Sequence, residues 1–83
     1  MQIVWTKKSV SEFQKLPLNV RKKIIEKLDF WFLSEYPMHF ARQIIGVRPS
    51  QYRFRLGKYR IIGAIEKNNF LILKIGHRKD VYK

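Results

Sequence analysis

Cysteine is absent from the 83-residue chain, so no disulfide can staple it and no thiolate can hold a metal. Histidine is nearly absent as well. His39 and His77 stand far apart without ligand-like spacing, so neither a structural zinc site nor any other metal or cofactor is expected. No apolar run is long enough to span a bilayer, and the stretch ahead of Thr6 is too short for a signal peptide. The expectation is a cytoplasmic protein with no membrane partner. Repeats and low-complexity segments are missing too, and residues 1–83 are read as a single domain. A domain this small buries only about 60% of its unfolded surface, so its stability margin is thin.

Acidic residues are scarce: six Asp and Glu face eighteen Lys and Arg, for a formal charge of +12. Such an imbalance repels itself in the folded state and attracts polyanions. Between Glu35 and Glu66 there is no acid, while Arg42, Arg48, Arg53, Arg55, Lys58 and Arg60 all fall there.

What is present is a change of period. Gln2–Trp5 reads as a strand, and Thr6 suits an N-cap. Val10, Phe13 and Leu16 recur at helical spacing over Lys7 to Leu16, where Pro17 intervenes. A second helix is expected from Leu18 to Tyr36, stopped by Pro37, with Pro37–Val47 as a connection. After Pro49 the pattern alternates: Tyr52, Phe54 and Leu56 on one face, Arg53 and Arg55 on the other. Gly57-Lys58, with Gly first, is a type II′ hairpin signal. Tyr59–Glu66 is the return strand and Phe70–Ile75 a nearly all-apolar third. The order β-α-α-β-β-β predicts an α+β fold, two helices packed on a mostly antiparallel sheet.

The hairpin fixes a register. With Gly57 and Lys58 in the loop, Leu56 opposes Tyr59, Arg55 opposes Arg60, and Phe54 opposes Ile61. Arg55 and Arg60 are then directly opposed like charges, which costs a sheet a few tenths of a kcal/mol. With Asn68-Asn69 as the next loop, Glu66 opposes Leu71, Ile62 opposes Ile75, and Arg60 opposes His77. One row reads Arg55, Arg60, His77, with Arg78 and Tyr82 following in the tail. This inventory holds no carboxylate, metal ligand set or paired nucleophile. It offers guanidiniums that grip phosphate, one imidazole and one phenol. It suits cleavage of RNA by its own 2′-hydroxyl, where the protein need only neutralise the developing phosphorane and move protons.

The stretch Tyr52-Arg-Phe-Arg-Leu-Gly-Lys-Tyr-Arg-Ile-Ile resembles the central hairpin of RelE-type toxins, and Leu73-Lys-Ile-Gly-His-Arg-Lys-Asp-Val-Tyr resembles their last strand and tail. Trp5-Thr-Lys-Lys and the helix closing on Leu16-Pro17 are also typical, but are shared with ParE relatives. The resemblance to the RelE/ParE toxin superfamily implies a compact fold, a cognate antitoxin that wraps the toxin, and cleavage of mRNA in the ribosomal A site. It carries the phosphate-binding and catalytic roles onto Arg53, Arg55 and Arg60, the leaving-group role onto Arg78 and the base-stacking role onto Tyr82. Arg48, Lys58 and Lys79 are expected to contact RNA. The hairpin has arginine where some relatives have lysine, and arginine is a poor general base, so His77 becomes a candidate for proton transfer. Gly63 stands where many relatives have an aromatic residue, which is expected to widen the floor of the site. No counterpart of the long carboxy-terminal helix of some members is expected within residues 1–83.

Two other readings compete: a ParE-type DNA gyrase poison, and a non-catalytic nucleic-acid-binding partner that meets DNA only through an autorepressing antitoxin complex. On the second helix, Val20, Ile24, Ile25, Leu28, Trp31 and Phe32 form one apolar arc at about 100° per residue. Phe30 falls outside it, among Lys23, Glu26 and Lys27, with Leu33 near the far edge. Four consecutive large apolar residues cannot all face one core, and the resemblance implies that an amphipathic antitoxin segment covers Phe30 and Leu33.

Overall fold

The computed structural model describes residues 1–82. In chain order the elements are β1 (Gln2–Trp5), α1 (Lys7–Gln14), α2 (Leu18–Leu33), a 3-10 turn (Pro37–Phe40), β2 (Ala41–Ile44), β3 (Gln51–Leu56), β4 (Tyr59–Glu66), β5 (Asn69–His77) and α3 (Arg78–Val81). They form an α+β fold on one sheet, ordered β1-β5-β4-β3-β2. β1 runs parallel to β5, and the other pairs are antiparallel.

The order differs from the expected one in two places. The segment read as a connection contains β2, which pairs with β3 at the sheet edge, and the tail closes as a short helix. β2 spans only Ala41-Arg-Gln-Ile, too short for alternation to declare itself. Both long helices also stop early, α1 at Gln14 and α2 at Leu33. Ser34 is already extended at the C-cap of α2, its hydroxyl turned back onto the Trp31 carbonyl.

Helix α1 begins where the sequence suggests. The Thr6 side chain accepts from the Ser9 amide at 3.1 Å, and the Ser9 hydroxyl accepts from the Thr6 amide at 3.0 Å. The Thr6 hydroxyl also donates to the Ile72 carbonyl at 2.8 Å, tying the cap to β5. Farther along, Glu12 accepts from the Ile75 amide at 3.2 Å, beyond the last residue that β1 covers. An edge donor that the sheet leaves open is thus satisfied by a helix side chain.

The core lies between α1–α2 and the sheet. Ile24, Leu28 and Trp31 of α2 meet Phe54, Ile61, Phe70, Ile72 and Ile75, with Val20, Phe32, Phe13 and Leu16 packed around them. Trp31 stacks on Phe54 at 4.7 Å between ring centroids, and Phe54 meets Phe70 edge-on at 5.2 Å. Ile25, assigned to the inward arc, is 41% exposed at its margin. The helix phase otherwise holds: Phe30 and Leu33 are 59% and 86% exposed.

The first hairpin has the expected register, Leu56 on Tyr59, Arg55 on Arg60 and Phe54 on Ile61. Gly57 supplies the positive φ, +55°, that a II′ turn needs at its first central position. The second hairpin does not match. Its loop is Lys67-Asn68, at φ 49° and 63°, the double left-handed conformation of a I′ turn. Glu66 therefore opposes Asn69 rather than Leu71. A bulge then follows: Gly63 faces Ile72 while Ile62 faces Lys74, leaving Leu73 as the extra residue. Beyond it Arg60 faces Gly76, and Tyr59 faces His77.

Gly63 does not widen a site floor. It lies on the helix-packed side, opposite Tyr52 and Ile72, and the Phe70 ring occupies the space above it. A β-carbon there would overlap the Leu71 carbonyl oxygen and lie 2.5 Å from the Phe70 ring. Overpacking of this kind costs about 1–3 kcal/mol or more. Gly63→Ala is accordingly expected to lower stability by at least that amount in urea unfolding, and an unchanged midpoint would contradict the packing described.

Candidate nucleic-acid interface

Cross-strand neighbours share a face, so the registers read out the side of the sheet that α1 and α2 leave open. One row runs Arg42, Arg53, Ile62, Lys74 across β2, β3, β4 and β5; the next runs Arg55, Arg60, Gly76 across β3, β4 and β5. Neither row contains a carboxylate. Arg42 and Arg55 are exposed, and Arg53 and Lys74 half-buried. Ile62 is buried and forms an apolar floor between the cations of its row.

Arg60 is different. Its side chain is only 8% exposed, and Nη1 donates to the carbonyls of Gly57 at 2.7 Å and Tyr59 at 2.8 Å. The guanidinium is thus anchored on the hairpin turn, its charge held against two carbonyl dipoles. That anchorage explains how Arg60 can lie opposite Arg55: a buried cation needs fixed acceptors, and the turn supplies them.

The tail reaches this face through the same turn. The Arg78 amide donates to the Lys58 carbonyl at 2.8 Å, starting α3 at the hairpin tip. Val81 is buried, with Cγ2 3.5 Å from where a side chain on Gly76 would begin. The next residue brings its phenol over β3, where Arg53 Nη1 donates to the Tyr82 hydroxyl at 3.2 Å. The chain therefore gathers Arg53, Arg55, Arg60 and Tyr82 as expected, with exposed Arg78 and Lys79 on the helix beside them. Lys58 is exposed in the turn, and Arg48 in the β2–β3 connection.

His77 is not in the arginine row. It faces Tyr59, with the two rings edge-to-face at 5.6 Å, on the side where Tyr59 joins Val20 and Lys23 in a cleft. Its Nδ1 accepts from the Lys79 amide at 3.1 Å and so caps α3. The turn at Lys67-Asn68 and the bulge together displace it by one residue from the expected register. Two cations of the open face went unassigned from sequence. Arg42 was visible in the acid-free segment but sat in a strand that went unread. Lys74 reaches the open face only because of the bulge.

A cationic sheet face with a phenol held over it can bind a phosphodiester backbone and stack a base. The model of one family, the ParE toxin of type II toxin–antitoxin systems, matches residues 3–82. The chain belongs to that family. As a toxin it shares its fold with the toxin chains of several solved complexes. The RelBE2 toxin–antitoxin complex of Mycobacterium tuberculosis matches at 23% identity over 93% of this chain and 96% of that one, with TM-score 0.77. The archaeal RelE–RelB complex of Pyrococcus horikoshii matches at 26% identity, over 95% and 96%, with TM-score 0.72. The isolated RelE toxin of E. coli matches at 21% identity, over 98% and 89%, with TM-score 0.71. No curated protein sequence matches the chain.

The two opposed arginines of the toxin predict unequal costs of truncation. Arg60→Ala removes two charge-assisted bonds to the turn and is expected to cost about 1–3 kcal/mol in urea unfolding. Arg55→Ala, exposed and facing a like charge, should stay within about 0.5 kcal/mol of the parent. Equal losses at both positions would refute the buried anchorage of Arg60.

Proposed function

We propose that this toxin is a metal-independent endoribonuclease that cuts mRNA in the ribosomal A site and is silenced by a cognate antitoxin. The observation that carries the reading is the Arg53–Tyr82 contact above the face of Arg42, Arg53, Arg55 and Arg60. It joins a nucleobase-sized stacking surface to permanent cations that suit phosphate. In this reading Arg53 and Arg55 grip the phosphates flanking the cut. Arg60, its plane fixed by the turn carbonyls, meets the developing charge of the phosphorane. Tyr82 stacks on a base, and Arg78 at the start of α3 attends the departing oxygen. Arg48, Lys58 and Lys79 guide the strand on either side. The nucleophile is the substrate's own 2′-hydroxyl, so the protein needs neither a nucleophile nor a metal of its own.

The antitoxin follows from the company the fold keeps: similar toxins were solved bound to RelB partners. Phe30 and Leu33 offer it an anchor. The Phe30 ring meets Phe40 edge-on at 5.8 Å, and Lys27 Nζ lies 5.4 Å from its centroid. An exposed aromatic pair with a lysine above it fits an apolar side chain flanked by acids. Any contact with DNA runs through that complex.

A gyrase poison, the activity of the ParE type, would act without cutting RNA. Brief expression separates the two readings. New mRNA 5′ ends within codons, with translation arrest, are expected; DNA damage signalling with intact message would favour the gyrase poison. A message carrying a 2′-deoxy sugar on the 5′ side of the scissile bond should be bound but not cut by toxin on programmed ribosomes, and efficient cutting of it would defeat the 2′-hydroxyl mechanism.

Phe30→Ser should weaken antitoxin binding by about 1–3 kcal/mol, the usual loss at an interface anchor. Because Phe30 is largely outside the core, the melting temperature of the free toxin should hardly change. Unaltered antitoxin affinity in a titration of the folded variant would remove Phe30 from the interface.

A further inference from the structure

The two cationic rows of the open face are rich in groups that stabilise charge and poor in groups that accept a proton. Glu66, on the same face, lies at the far end of β4 from Arg60. Guanidinium stays protonated at any physiological pH, so Arg42, Arg53, Arg55 and Arg60 cannot take the proton that a 2′-hydroxyl must lose. His77 has turned to the other side, with Nδ1 committed to the Lys79 amide. The hydroxyl oxygen of Tyr82 is engaged by Arg53. One amine belongs to the two sheet rows: Lys74.

Its position depends on the bulge. Regular alternation from Phe70 and Ile72 would send residue 74 into the helix-packed core. With Leu73 as the extra residue, Ile75 points inward in its place and Lys74 pairs with Ile62, in line with Arg53 and Arg42. Lys74 is half-buried, its stem free to run along the Ile62 floor while the amine stays at the surface. Two strand spacings, each about 4.8 Å, separate Lys74 from Arg53, a gap that two long side chains can close around one phosphodiester.

We infer that Lys74 is the general base of the proposed cleavage. The neutral amine takes the 2′-hydroxyl proton as the 2′-oxygen bonds to phosphorus. The P–O5′ bond then breaks, leaving a 2′,3′-cyclic phosphate on one product, and the departing 5′-oxygen takes a proton from water. Lys74 ends as the ammonium and returns its proton to solvent. No electron leaves the system and no further reactant is required.

This inference rests on the RNA-cleavage reading, and the test separates the two. Single-turnover cleavage of message on programmed ribosomes is compared for the parent, Lys74→Arg and Lys74→Ala, alongside affinity for the uncleavable 2′-deoxy message. Lys74→Arg keeps the charge but not a removable proton. It should lose about a hundredfold or more in rate, as loss of a general base does, while its affinity for the 2′-deoxy message stays within about twofold, since a cation remains at the same place. Lys74→Ala should be slow but recover with added ethylamine, more so as pH rises and the neutral amine grows; guanidinium at the same concentration should not restore it. Near-parental rates in Lys74→Arg would overturn the inference, because charge alone would then suffice. So would a folded Lys74→Ala that ethylamine leaves unchanged. A parent that cuts no message at all would instead remove the cleavage reading, and this inference with it.

Discussion

One extra residue in β5 governs most of this architecture. β5 is flanked by β1 and β4, so both its edges and both its faces carry obligations. Phe70, Ile72 and Ile75 must all reach the core, and their spacing of two and then three residues cannot be met by a regular strand. Leu73 absorbs the difference. The same residue moves Gly76 beneath α3, where Val81 packs, and moves His77 beside Tyr59, where it caps that helix. Core, cationic face and tail are therefore set by one irregularity, and without it each would require a different chain.

The turn at Gly57-Lys58 plays the complementary part at the other end of the hairpin. It supplies three carbonyl acceptors in a small space: Gly57 and Tyr59 receive the Arg60 guanidinium, and Lys58 receives the Arg78 amide. A buried cation and the first amide of a four-residue helix are both costly to leave unsatisfied. Meeting both at one turn links the position of the tail to the most buried charge of the sheet. Like-charge repulsion across β3 and β4 is thereby offset locally, without an acid in either row, and the outward surface stays strongly positive.

These two ends were unequally legible in the sequence. Gly57 stands first in a two-residue loop, where only one hairpin geometry is comfortable, so the Arg55–Arg60 pairing is legible in the sequence itself. Lys67-Asn68-Asn69 offers two overlapping loops, and nothing in their chemistry forces a lysine into the left-handed region. The signal for the bulge was present, as the broken period of Phe70, Ile72 and Ile75. That period alone does not say which residue is the extra one; the pairing of Gly63 with Ile72, beneath the Phe70 ring, does. β2 stayed hidden because its four residues alternate too briefly, and with it Arg42. On α2 the reverse held: a sixteen-residue period placed Phe30 and Leu33 outside the core and misjudged only Ile25, at the edge of the arc.

Fold alone does not decide what a toxin of this family attacks, since one scaffold can carry unrelated activities at its surface. Here helices α1 and α2 are engaged on the core face, and the part of the chain free to specialise is the opposite face with its short tail. That face combines two rows whose charges are all positive, an apolar floor at Ile62 and a phenol held at its rim by Arg53. A surface evolved only to dock on a folded protein gains little from opposed arginines, because each must be desolvated against a partner acid. A polyanion with a charge at every repeat offers such partners in series, and single-stranded RNA adds bases to stack. The arrangement is therefore better matched to a nucleic-acid strand than to a protein surface, which is the physical ground for proposing this face as the site of chemistry.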